Sequence, residues 1–441
     1  MKKTYPLFIL TILLSAHAFG QWTTTNLSEG KTSMGSVAYG SKVYFGGGGN
    51  LTEDISKVEI YDINTGTWAV AEQLSIPREF PAAGAAGGKV FFAGGINFFT
   101  FEHYSRVDIF DTLTHVWTMA ELPEQKFDVA AISYGDRLFF AGGVNIMTGI
   151  NSSAVDIYNV TTGTWMAASL SEPGEVRAVA VGTKLYFVGV AVMDIYDTSA
   201  NAWTAISLPD IRPFAGVAVV GNQILIAGGM NLDNTPSDRV DIYDLGSGSW
   251  TQASLSLPRA FINNAATVCG KAFFAGGGNF DLTCGCWIDA TNVVDIYDPE
   301  TAVWMTDHVT HPISNHSVVA SGDHLLVAGG IDPADLTTVF STVDIYTCNL
   351  SAFDDPGELE IAIEIGPNPT DGIVKLNFND KIPGDYLLTV TDVYGRIFQS
   401  KKLENVNTPE RTIDLSGLPA GFYLVSVSNE SGSFCSKVVK R

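Results

Sequence analysis

The sequence predicts an all-β chain: seven four-stranded sheets set about one axis, followed by a small antiparallel β-sandwich. Three observations predict it. An aromatic or aliphatic run ending in a glycine pair recurs along the chain, as in Phe91-Phe92-Ala93-Gly94-Gly95 and Phe139-Phe140-Ala141-Gly142-Gly143. A core of the type Val-Asp-Ile-Tyr-Asp follows each run, centred on Tyr61, Phe110, Tyr158, Tyr196, Tyr243, Tyr297 and Tyr346. Seven residues after the first six of these rings stands a tryptophan: Trp68, Trp117, Trp165, Trp203, Trp250 and Trp304.

Each repeat reads as four strands. The first is small and apolar, as in Ala82-Ala83-Gly84-Ala85-Ala86, which suits a crowded axis. The second is a continuous apolar run, as a strand buried on both faces requires. Its glycines allow close approach of neighbouring backbone. The third alternates Val and Ile with Asp and Tyr, so the two sets face opposite sides. A turn such as Asn64-Thr65-Gly66 leads to the Trp strand. One such sheet cannot bury both faces, so the units must stack, and radial stacking makes a propeller. Blade 4 departs from the pattern, with Gly189-Val190 for the glycine pair and almost no loop before its third strand. In blade 7, Thr347 follows Tyr346 and Phe353 stands where Trp is expected. Trp22 lies 25 residues before Gly47, and the other tryptophans lie 24 to 26 before the next glycine motif. Trp22 therefore reads as the outer strand of blade 7, supplied by the N-terminal segment to close the ring; Phe353 as the closing residue is the alternative.

The order Gly-Gly, Tyr-Asp, Trp resembles the kelch repeat over residues 21–353. Ahead of it, Lys2, Lys3, an apolar run from Leu7 to Leu14 and Ala18-Phe19-Gly20 read as a signal peptide over residues 1–20. No stretch approaches the ~20 apolar residues of a membrane span. Asp354-Asp355-Pro356-Gly357 opens a linker over residues 354–364, and residues 365–441 read as the sandwich. Its motifs are Pro367-Asn368-Pro369-Thr370-Asp371-Gly372, Asp392-Val393-Tyr394-Gly395-Arg396, Leu418-Pro419-Ala420-Gly421-Phe422-Tyr423 and the terminal Lys437-Val438-Val439-Lys440-Arg441. They resemble the C-terminal sorting domain of type IX secretion substrates in Bacteroidota. That resemblance implies the type IX machinery as a partner, and a secreted protein or one on the outer-membrane surface of a Gram-negative cell.

Charge divides unevenly: residues 21–356 hold 36 acidic and 14 basic residues. So acidic a body does not attract nucleic acid or an anionic membrane. Five cysteines (Cys269, Cys284, Cys286, Cys348, Cys435) are too few for a disulfide scaffold, although export permits bridges and neighbouring blades could join Cys269 to Cys348. Cys284-Gly285-Cys286 lacks the partner pair of a zinc site, so no metal or cofactor is expected.

Lys31, Arg78, Lys126 and Arg212 stand 16 residues before their glycine pairs and Arg259 stands 17 before its own, with Arg177 near the equivalent place in blade 4. All fall where the chain enters the innermost strand. They are expected to ring the axial mouth and collect an anion. Phe98, Phe99 and Tyr104 in blade 2 and Trp287 in blade 6 add aromatic loop residues on the same face, suited to stacking on sugars or anchoring a protein. The expected function is a monomeric binding protein for a glycan or protein ligand. The alternative is a sugar-active enzyme on the same face. The resemblance implies two types: one like galactose oxidase, whose copper-ligand pattern is not visible here, and one like a kelch-type sugar-acid epimerase, working through carboxylates and Arg.

Overall fold

The computed structural model describes residues 21–145, 149–262, 265–281, 286–332, 338–348, 363–378, 386–392, 397–403, 410–419, 421–429 and 432–441. The segment read as a leader, Phe353, residues 354–362 of the linker, Cys284 and the hairpin residues 393–396 lie outside the described residues. One compact unit runs from Phe19 to Cys348, and a second holds Asn349–Arg441.

The first unit is a ring of seven four-stranded antiparallel sheets. Blade 2 shows the pattern, with strands Ala82–Ala86, Lys89–Ala93, Arg106–Asp111 and Trp117–Glu121 running outward in that order. The seven-residue spacing of ring and tryptophan is a hairpin spacing, because Phe110 pairs directly with Trp117, Tyr61 with Trp68 and Tyr158 with Trp165. Ring centroids in these three pairs lie 5.0, 4.9 and 4.9 Å apart, within the favourable range for tilted aromatics.

Both faces of every sheet are buried against neighbours. Between blades 1 and 2, for example, Tyr44, Val58 and Ile60 pack on Val90, Phe92 and Phe110. The glycine pairs bind one blade to the next. Gly94 and Gly95 both hold positive φ (65° and 108°), and a Cβ on Gly94 would lie 2.5 Å from the Lys126 carbonyl oxygen. That approach lets the Gly95 N–H donate to the same carbonyl at 3.0 Å. The bond recurs as Gly48 to Arg78, Gly229 to Arg259, Gly277 to Ile313 and Gly330 to Lys31. Blade 4 carries Val190 in place of the second glycine. There Glu172 Oε1 instead caps the short turn by accepting the Ala191 and Val192 amides at 2.7 and 2.9 Å.

The N-terminal strand Gln21–Asn26 lies antiparallel to Thr342–Thr347 of blade 7, with Trp22 opposite Tyr346 at a centroid distance of 5.2 Å. Trp22 Nε1 also donates to Asp307 Oδ2 of blade 6 at 2.9 Å. Cys269 and Cys348 form a disulfide, Cα atoms 5.9 Å apart, that ties blade 6 to blade 7. The edge strand left by a linear chain is thereby paired, and the first and last blades are held together.

The second unit packs the sheet Ile363–Gly366, Ile373–Phe378, Glu410–Asp414 with the sheet Ile397–Leu403, Tyr386–Asp392, Gly421–Asn429, Gly432–Lys440. Val374, Leu376, Tyr386, Val390, Val425 and Val438 form its core. The Asn368 side chain is tied to the last strand, donating to the Lys437 carbonyl at 2.6 Å and accepting the Val439 amide at 2.9 Å.

Candidate ligand site at the axial mouth

The five cations expected to form an anion site are inside the blades. Lys31 and Arg78 are 0 % exposed, Lys126 and Arg259 1 %, and Arg212 5 %. Each pairs with the acid of its own third strand: Lys31 with Glu59 (2.6 Å), Arg78 with Asp108 (2.9 Å), Lys126 with Asp156 (3.0 Å), Arg259 with Asp295 (2.7 Å) and Arg212 with Asp241. Arg78 is saturated further by the carbonyls of Gly94 (2.7 Å), Ile76 (2.8 Å) and Phe92 (3.0 Å). The acids in turn accept amides from the segment arriving from the preceding blade, such as Ser28 on Glu59 (2.7 Å) and Ser75 on Asp108 (3.2 Å). These residues are struts within and between blades, and the expectation of an anion-collecting ring is corrected accordingly. Arg78, with its donors occupied, has nothing left for a ligand. Burial pulls the Lys31 ammonium below its usual range, opposed by the charge of Glu59.

The mouth is made by the residues two positions further on. Ser33, Phe80, Asp128, Phe214, Phe261 and Asn315 all hold left-handed backbone, with φ between 50° and 61°. The conformation costs a non-glycine residue about 1–2 kcal/mol, and hydrogen bonds passed from blade to blade hold it. The Phe80 N–H donates to the Ser33 carbonyl (2.8 Å), Ser33 to Asn315 (2.8 Å) and Phe261 to Phe214 (2.9 Å). Blade 4 lacks the turn, and the Glu175 side chain replaces its carbonyl by accepting the Phe214 N–H at 3.1 Å. The same count that located the cations would have located this ring.

The ring surrounds a cavity of about 250 Å³ lined by the inner strands of all seven blades, Ser36, Ala83, Ala131, Arg177, Val217 and Val318 among them. Arg177, alone of the six predicted cations, lines it. Its guanidinium reaches Glu175 Oε1 at 2.6 Å and Asp128 Oδ1 at 3.3 Å, while its buried Nε has no hydrogen-bond partner. Burial pushes the Glu175 carboxyl up to about 7, with Arg177 opposing and Asp128 adding to the shift. His316, 3 % exposed, also lines the cavity with both ring nitrogens unpartnered; the Ala275 carbonyl lies beside it without hydrogen-bond geometry. Burial lowers this imidazole to about 4, so it is neutral at pH 7. Among the described residues no group of three His, Cys, Asp or Glu side chains is placed to hold a metal ion.

The aromatic loop of blade 2 divides. Phe98 folds onto Phe80 (5.8 Å) and Phe127 (6.2 Å), and Tyr104 donates its hydroxyl to Glu102 at 3.3 Å. Phe99 and Phe101 stand outward, 54 % and 48 % exposed. The Asn97 carboxamide shapes the loop by accepting the Phe99 and Thr100 amides at 2.9 and 2.8 Å. Trp287 lies on the strand Cys286–Ile288, paired with Phe280; its side chain is outside the described residues.

Seven sheets closed about one axis, repeating Gly-Gly, Tyr-Asp and Trp, define a kelch-repeat propeller, here joined to a β-sandwich of the secretion-sorting type. The Kelch motif matches residues 211–254, and the Secretion system C-terminal sorting domain matches residues 364–441. A domain of that type marks its carrier for secretion or the outer-membrane surface. Among curated proteins the chain is similar to putative F-box/kelch-repeat proteins of Arabidopsis thaliana. One is 29% identical over 23% of this chain and 33% of its own length; another is 32% identical over 21% and 25%. The chain therefore spans a third or less of these relatives. A solved structure described as that of YjhT covers 72% of this chain and 94% of its own at 12% identity, with a TM-score of 0.47. Among the described residues, no helix is long and apolar enough to cross a membrane.

Proposed function

We propose that this chain is a secreted or cell-surface binding protein that takes a neutral glycan end-on at the axial mouth. The observation that carries the reading is the polar pit itself. Asp128 offers carboxylate lone pairs, and the Arg177 guanidinium and the His316 ring join it in lining one cavity of about 250 Å³. Adjacent donors and acceptors of this kind match the hydroxyls of a sugar, and the volume suits one ring. Phe99 and Phe101, exposed on the blade 2 loop, are available to stack on following residues. An acidic ligand is disfavoured, because the five strut cations are neutralised within their blades and the body carries a large acidic excess.

Glu175, held near 7 beside Arg177, is the feature that favours a sugar-active enzyme on the same face. Arg177 and the Phe214 amide already hold its two oxygens in a structural role between blades, which favours binding. A glycan array with the full chain tests the proposal. Neutral glycans with a free terminus should bind, and Asp128→Asn and Arg177→Ala should each weaken binding by about tenfold or more, as loss of a charged hydrogen-bond partner does. Retention of acidic glycans alone, or indifference to both substitutions, would overturn it.

A further inference from the structure

The buried acids of the third strands are all matched. Glu59, Asp108, Asp156, Asp241 and Asp295 face cations, while Asp194 and Asp344 accept the amide and hydroxyl of Ser171 and Thr310. Asp54 and Glu79 differ. Each is 8 % exposed, neither stands in an ion pair among the described residues, and both Asp54 oxygens lack a hydrogen-bond partner. An ionised carboxylate in such a place is costly unless it is neutralised.

The backbone brings the two together. Asp54, on the loop between the second and third strands of blade 1, forms an antiparallel bridge with Gly49. Residues directly opposed in such a pair carry their Cβ atoms about 5 Å apart on one face. Gly49 has no Cβ, and Glu79 Oε1 of blade 2 lies 2.3 Å from where one would be. The Glu79 carboxyl therefore fills the place beside the Asp54 side chain. Glu79 is in turn tied to Ile96 by two backbone hydrogen bonds of 2.9 Å, at the base of the blade 2 aromatic loop.

We infer that Asp54 and Glu79 form a proton-binding site that clamps the aromatic loop of blade 2 onto blade 1. With a proton on the pair, one carboxyl donates to the other and the seam is closed. With the proton lost, two like charges share a dry seam and repel. The surrounding groups do not supply the missing charge. The Ser33 hydroxyl hydrogen-bonds Glu79, and the Phe98 amide approaches Asp54 without hydrogen-bond geometry. Tyr104, which is close enough to Asp54 to feel its charge, donates to Glu102. Arg78, adjacent in sequence, is held by Asp108. Burial pushes Asp54 up to about 6, and burial with the neighbouring Asp54 pushes Glu79 up to about 7. The loop that the pair would release carries the exposed Phe99 and Phe101.

Hydrogen–deuterium exchange on the full chain, corrected for intrinsic exchange chemistry, tests the clamp at about pH 5.5 and about pH 8, either side of the pair's titration. Protection of the loop from Ile96 to Tyr104 should fall about tenfold or more at the higher pH, while the blade 5 loop at residues 230–238 should not change. Asp54→Asn and Glu79→Gln should each remove the pH response; where one variant fails to fold, the other serves. Equal loop protection at both pH values, or a response that persists in a folded variant, would overturn the proposal.

Discussion

At the scale of single residues, the charged side chains of the propeller fall into two kinds that look alike in sequence. Arg78 and Arg177 both stand where the chain enters an inner strand, yet the first is sealed inside its blade and the second opens on the axial cavity. Arg78→Ala should strand the buried Asp108 carboxylate and lower stability by about 3–5 kcal/mol, measured by urea unfolding. A paired replacement, Arg78→Met with Asp108→Leu, should recover most of that loss, because no uncompensated charge remains. The same assay run against pH reads the Asp54–Glu79 pair. Both carboxyls bind a proton more tightly when folded, at about 6 and 7 against 3.8 and 4.5 when unperturbed. Their contribution is therefore complete below about pH 4 and is lost as pH rises toward 7. Asp54→Asn with Glu79→Gln should flatten that decline. His316 runs the other way: its lowered value makes its contribution complete above pH 6.5 and lost as pH falls toward 4.

At the scale of elements, the blade was legible because its constraints are local. A hairpin fixes the distance between Tyr and Trp, a double-sided core demands an unbroken apolar strand, and the glycine pair marks the close contact between blades. Spacing and the need to close the ring point Trp22 to blade 7, with Phe353 as the alternative, and the Trp22 strand lies against Tyr346. In the sandwich, the strand Ile397–Leu403 is hard to read from sequence, since Gln399, Ser400, Lys401 and Lys402 break the alternation that reveals a half-buried strand. The mouth was misread for a different reason. Spacing gives the position of a side chain along the strand but not the carboxylate waiting for it on the third strand, so Lys31 and Arg212 read as free when Glu59 and Asp241 already held them. Closure can be tested at this scale. Cys269→Ala with Cys348→Ala should destabilise the chain by about 2–5 kcal/mol in a thermal or urea melt relative to the oxidised wild type.

At the scale of the whole molecule, the symmetry of seven similar blades fails at the axial mouth in blade 4. Blade 4 lacks the left-handed turn, and Glu175 and Arg177 fill the gap with side chains that reach Asp128 of blade 3 and the Phe214 amide of blade 5. A ring that repeats has no reason to favour one ligand orientation; this break supplies one. The rest of the propeller then serves to hold the pit rigid, with struts inside each blade and the paired edge at blade 7. The separation of strut from site is most directly tested by measuring neutral-glycan affinity and melting temperature together on the full chain for Arg177→Ala and Arg78→Ala. The folded fraction of Arg177→Ala should lose binding by about tenfold or more, whereas Arg78→Ala should lower the melting temperature while its folded fraction binds as wild type. Unchanged affinity in a folded Arg177→Ala chain would contradict a ligand site at the axial mouth.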